Sequence, residues 1–225
     1  MIDPENANPL ATVIKPCQPH DLLWVDAPAA LISDTPLPSW ASHRWNPGLP
    51  VVVRRDHSAL GLIPVGIRGK QRHQRVSLWV HPDHVVKSLP PEALVPDMET
   101  LKRSPFAATR PVRALIGLMT LDLPYKWGPT GSCAYALATG ECVMHEGSDL
   151  DLTIRCPKPV LPEQFTRLAE KCKSLPCTTD IQIETPFGAF ALKEWLRENG
   201  RRILMKTDFG PILSADPWNE SEDEK

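Results

Sequence analysis

Two aspartates one residue apart, Asp149 and Asp151, are the side chains of this chain best arranged for phosphate chemistry. They lie in SDLDLTIR, where Leu150, Leu152 and Ile154 alternate with Asp149, Asp151, Thr153 and Arg155. That alternation predicts a strand over residues 148–155 with one apolar and one polar face. A period of two brings both carboxylates to the same side, about 6.6 Å apart at Cα. Carboxylates so spaced can converge on divalent cations about 3.5–4 Å apart. Two ionised carboxylates side by side repel, and Mg²⁺ relieves that repulsion through hard oxygen ligation. Taken alone, such a pair most often marks a surface strand, so its neighbours decide its meaning.

Upstream stands WGPTGSCAYALATGE. Gly128, Gly131 and Ser132 precede a short helical run, CAYALAT, which Gly140 can terminate. Ser132 is a natural N-cap, and the free N–H groups of a helix start favour a phosphate, which glycine allows to approach closely. A capped helix in a loop would account for Ser132 and Gly140 equally well. It would not account for the acidic strand that follows. A third carboxylate is available in TTDIQIE, where Asp180, Gln182 and Glu184 share one face and Ile181 and Ile183 the other. Asp180 is the first choice and Glu184 the reserve; the plain alternative is the exposed face of an edge strand. Together these segments predict metal-dependent phosphoryl chemistry, with Asp149, Asp151 and Asp180 holding Mg²⁺ (two ions, Mn²⁺ as substitute) and Gly131–Ser132 cradling phosphate.

Cations concentrate earlier in the chain, at Arg54, Arg55, Arg68, Lys70, Arg72 and Arg75, with His73 among them. In IRGKQRHQR, guanidinium groups at a glycine-containing turn can clamp phosphate or grip an acidic partner, and Arg68 and Arg72 are the candidates. A solvated turn is the plain alternative. Lys206, in LMKTDFGP, is a further candidate phosphate ligand, although a single Lys at a strand end is more often surface. His145 reads as loop, because Mg²⁺ prefers oxygen. Trp195 is expected to fix the last helix to the core, and Trp127 either joins the core or lines a nucleoside pocket. The six cysteines form no CxxC pair, which excludes the usual zinc spacings and fits free thiols in a reducing cytoplasm.

The elements that must position these residues can also be read. The chain has 225 residues, 42% of them hydrophobic, enough for a sizeable core in one large or two small domains. A net charge of -2 gives no general attraction to nucleic acid or to an acidic membrane, and no apolar run approaches the roughly 18 residues of a membrane span. The 25 prolines, about twice ordinary usage, predict short elements and rigid loops. DLLWV, LPVVVRR, LGLIPVGI and RVSLWV predict a small β-rich unit over residues 1–90. A proline-rich stretch over 91–108 reads as linker. Residues 109–225 then read as α+β: helices over 111–121, 161–175 and 189–199 (the last stopped by Gly200) with the two acidic strands between them, then an acidic tail. The fold class is therefore α+β, a small β-rich unit followed by a mixed sheet with helices.

The glycine–serine turn, the DLD strand and the later acidic strand resemble the DNA polymerase beta nucleotidyltransferase superfamily, although the 16 residues between Ser132 and Asp149 exceed its usual spacing. A closer resemblance spans nearly the whole chain. The runs HDLLWV, VVVRR, IPVGIRGKQRHQR, WGPTGS, LATG, SDLDL, ETPFGAFALKEW, LMKT, GP and DPW are similar, in that order, to the phosphoribosyl-dephospho-CoA transferase family, the holo-acyl-carrier-protein synthases of malonate decarboxylase. The resemblance implies a polymerase beta-like catalytic domain with paired catalytic aspartates at Asp149 and Asp151. It also implies transfer of the 2′-(5″-phosphoribosyl)-3′-dephospho-CoA group from triphosphoribosyl-dephospho-CoA to a serine of the apo acyl carrier subunit, with release of pyrophosphate.

Overall fold

Short runs of β-branched residues build the first sheet, and their brevity follows from the prolines and glycines that punctuate them. Its strands are β1 (Leu22–Val25), β2 (Leu31–Ile32), β3 (Val51–Val53), β4 (Ile63–Arg68), β5 (Arg75–Val80) and β6 (Val85–Leu89), with helix α1 (Ser39–Arg44) between β2 and β3. The order is β2-β5-β4-β3-β1-β6, every pairing antiparallel, and the sheet closes over Leu23, Val25, Val51, Val53, Val65, Ile67, Leu78 and Val80. This structure, a computed structural model, describes residues 17–219 apart from residues 70, 72, 122 and 200 and the side chain of residue 44. The expectations for Arg72, Lys70, Gly200, the first 16 residues and the end of the acidic tail fall outside the described residues.

Residues 91–108 are more structured than a linker. Pro91–Leu94 forms a 3₁₀ turn, and Asp97 caps helix α2 (Met98–Arg103) by accepting from Thr100 N at 2.7 Å. Helix α3 (Arg110–Met119) follows, carrying Pro111 in its first turn and burying Val112, Leu115 and Leu118.

The second sheet comprises β7 (Lys126–Pro129), β8 (Leu150–Arg155), β9 (Thr179–Thr185), β10 (Gly188–Ala191), β11 (Ile203–Thr207) and β12 (Gly210–Ser214), ordered β12-β11-β10-β9-β8-β7. Helix α4 (Gly131–Thr139) lies between β7 and β8, α5 (Pro162–Cys172) between β8 and β9, and α6 (Leu192–Arg197) after β10. Only β8 and β9 run parallel, as strands joined by a crossover helix do. Leu150, Leu152, Ile154, Ile181 and Ile183 bury one face of the sheet with Leu115 and Leu118 of α3, Phe165 and Leu168 of α5, and Trp195. The helix expected over 189–199 is shorter, because Gly188–Ala191 pairs with β9 as a strand and only Leu192–Arg197 is helical. Trp195 is buried, edge-on to Phe165 with centroids 5.2 Å apart.

Candidate active site

The opposite face of the second sheet carries the polar alternate residues of β8 and β9. Parallel register sets Asp151 directly beside Asp180, Thr153 beside Gln182 and Arg155 beside Glu184. Neighbouring strands lie about 4.8 Å apart, so the first pair is two carboxylates at close quarters. Asp149 precedes β8 and continues the same alternation, exposed to solvent. The Asp151 carboxyl is held above its ordinary range, first by burial, then by the negative charge of Asp180 and, more weakly, by that of Asp149. The positive charges of Arg68 and Arg75 act against this rise.

The β7–α4 connection delivers a helix start to the same place. Thr130 N donates to Asp151 O at 2.8 Å, and α4 begins at the next residue. The N-cap is therefore Thr130 and not Ser132, which occupies the first turn half-buried. Gly131 has φ 61°, and a Cβ there would collide with the Asp151 carboxylate. Glycine is required at this position both by its dihedral and by the closeness of the acid. The first backbone N–H groups of a helix have no partner within it, so those of Gly131, Ser132 and Cys133 stand as unpaired donors at a helix start beside the carboxylates. At the far end Gly140 takes φ 77° and its N–H bonds Ala136 O, as its position in the sequence predicts. Gly128 serves packing instead of phosphate approach: a Cβ there would enter the backbone of Pro91. The Cys133 thiol beneath the helix start is pushed up to about 12, chiefly by burial, and is not a nucleophile at neutral pH.

Not every candidate joins this group. Glu184, the reserve third carboxylate, is buried and ion-paired with Arg55, four residues along β9 from Asp180, or about 13 Å. Its Oε1 lies 3.7 Å from His20 Nε2. Despite that contact the imidazole stays neutral. Burial and the charges of Arg55, Arg155 and Lys206 hold its pKa down to about 4, and Arg55 already neutralises Glu184. Lys206 pairs with Ala189, which itself pairs with Glu184, so it belongs to this second row and not to the carboxylate end. Trp127 is half-buried at the edge of the core and His145 lies in an exposed loop, its Nδ1 accepting from Gly147 N.

Arg68 ends β4, and its cross-strand partner is Arg75 at the start of β5. Arg75 reads from the sequence as part of the basic cluster but is not singled out there with Arg68 and Arg72 as a phosphate ligand. Folding IRGKQRHQR as a hairpin about residues 69–74 would have found it. As for metal, the donors at the site are all carboxylate oxygens, the chemistry Mg²⁺ selects, and burial with like charge at Asp151 is the circumstance a cation relieves. Among the described residues no three acidic, His or Cys side chains draw close enough to form a complete cage. Mg²⁺ does not require one, since it is commonly held by one or two carboxylates together with substrate phosphates and water.

Comparison with known proteins defines the class first: the chain is a transferase. Residues 18–91 match the family model described as phosphoribosyl-dephospho-CoA transferase MdcG N-terminal domain, and residues 94–217 match that of the C-terminal domain. A phosphoribosyl-dephospho-CoA transferase of Klebsiella pneumoniae is 46% identical over 205 residues, covering 91% of this chain and 98% of the relative. Relatives of that name from Pseudomonas putida strain W619 and Azotobacter vinelandii are 41% and 39% identical, each over 90% of this chain and 95% of their own. The chain belongs to the phosphoribosyl-dephospho-CoA transferase family. No solved structure matches it. Among the described residues no helix is long and apolar enough to cross a membrane.

Proposed function

We propose that this transferase moves the 2′-(5″-phosphoribosyl)-3′-dephospho-CoA group from its triphosphoribosyl precursor to a serine of the apo acyl carrier subunit of malonate decarboxylase, in the cytoplasm. The observation that carries the reading is the register of Asp151 with Asp180 beside a helix start whose Gly131 touches the acid. A strand–helix–strand unit with acids on the second and third strands also supports kinship with polymerase beta-like nucleotidyltransferases. Asp149, Asp151 and Asp180 are the residues that would hold Mg²⁺. Bound there, it would neutralise phosphate charge and lower the pKa of the attacking hydroxyl.

The N–H groups of Gly131 and Ser132 hold the phosphate chain of the donor in line. The carrier serine oxygen forms a bond to the α-phosphorus, the bond from that phosphorus to the β-phosphate oxygen breaks, and pyrophosphate leaves with the bonding pair. Asp180 is exposed, and a carboxylate oxygen there accepts the serine proton.

Intact-mass spectrometry of the apo carrier, incubated with enzyme, Mg²⁺ and the triphosphoribosyl donor, tests the reading. One phosphoribosyl-dephospho-CoA adduct per carrier is expected, with none from ATP. Asp151→Asn and Asp180→Asn should slow its formation on the order of 10³-fold while the circular dichroism spectrum is kept. An ATP-derived adduct would make the protein an adenylyltransferase, and full activity in both variants would remove the carboxylates from the mechanism.

A further inference from the structure

The cations of the first sheet divide into two groups. The guanidinium of Arg54 stacks 4.7 Å over the Trp79 ring and ion-pairs with Asp56, while Arg55 pairs with the buried Glu184. Arg68 and Arg75 are instead exposed, face each other across the β4–β5 ladder, and form no salt bridge among the described residues. Like charges directly opposite on paired strands are destabilising, and this pair sits where the ladder closes, with Gly69 N bonded to Gln74 O at 2.8 Å.

This end of the hairpin lies within electrostatic reach of the acids, since the charges of both arginines act on the Asp151 carboxyl. At its other end Arg54 N bonds Pro64 O at 3.0 Å, next to the Arg55–Glu184 pair. The hairpin thus runs from beside the Arg55–Glu184 contact at one end to the Arg68–Arg75 pair at the other.

We propose that Arg68 and Arg75 form a two-guanidinium clamp for a polyphosphate, gripping the β- and γ-phosphates that depart as pyrophosphate. This rests on the proposed transfer reaction for the identity of the donor, but the clamp itself needs only a triphosphate arm. Two planar forks presented side by side match the oxygens of adjacent phosphates, and one substrate anion relieves the repulsion between both. The first sheet thus supplies the leaving-group site, and the second sheet supplies the carboxylates.

Calorimetric titration of the full chain with inorganic pyrophosphate and with tripolyphosphate, in Mg²⁺ and without carrier or CoA compound, tests the clamp independently of the donor's identity. Arg75→Ala and Arg68→Ala should each weaken pyrophosphate binding roughly 10–100-fold. Arg75→Lys should recover only part of it, and the wild-type salt dependence should become shallower in both alanine variants. The KM for the carrier should not change in either. Unchanged pyrophosphate affinity with a raised carrier KM would overturn the clamp and make the pair a docking surface for an acidic carrier. Unchanged values of both would overturn it outright. Both side chains are exposed, so melting temperatures within a degree or two of wild type are expected and separate loss of binding from loss of fold.

Discussion

Gly131 shows how tightly single residues are constrained beside the carboxylates of the second sheet. Any L side chain at φ 61° is strained by about 1–2 kcal/mol, and a Cβ there would also displace the Asp151 carboxylate. Gly131→Ala should lower the urea midpoint accordingly. It should also reduce transfer about 100-fold, the scale expected when a reacting group shifts by an ångström. Asp151 carries a conflict of a different kind. Its folded-state pKa is raised, so just above its ordinary value the folded chain holds a proton that the unfolded chain releases, and stability falls as pH rises through that window. Asp151→Asn removes the half-buried charge, and in EDTA at pH 7 its melting temperature should rise, on the order of 2 °C, even as transfer is lost. A melting temperature below wild type would mean that the charge is already compensated in the folded protein.

At the scale of elements, Gly128 fixes β7 against the Pro91–Leu94 turn, where the opposing atoms are backbone and cannot swing aside. Gly128→Ala is expected to cost about 2–3 kcal/mol, read from chemical denaturation, although it touches neither carboxylate. Strands β3, β5, β8 and β9 were legible because β-branched runs and period-two alternation are local signals. The side-by-side placement of Asp151 and Asp180 needed more. Their residue types and common polar character could be read, but their register depends on how α5 carries the chain across. GAFALKEW was misleading: strong helix formers follow Gly188–Ala191, and only pairing with β9 commits that tetrapeptide to the sheet. Ser132 reads as the N-cap because its hydroxyl suits that position, whereas Thr130 holds it without a side-chain capping bond. The positive φ at Gly131, which marks the true start, is a tertiary matter.

Across the whole molecule the two sheets meet through charge. Arg55 binds Glu184, and Arg155 reaches Glu92 at 3.0 Å and Asp21 at 3.6 Å, all of them partly or fully buried. His20 sits neutral in this seam with φ 76°. Above pH 6.5 it is uncharged folded or unfolded. As pH falls toward about 4 the unfolded chain takes up a proton that the folded chain refuses, so stability declines by on the order of 3 kcal/mol across that window. His20→Asn, which tolerates the same backbone, should flatten the slope between pH 6.5 and 4.5 in denaturation curves; an unchanged slope would assign it to other groups. The seam has a further consequence. The proposed basic half of the site comes from residues before 90, and the acidic half from residues after 126. Supplied as two separate polypeptides, neither fragment would carry a complete centre, and turnover would return only on their reassociation, which is the behaviour of a split reporter.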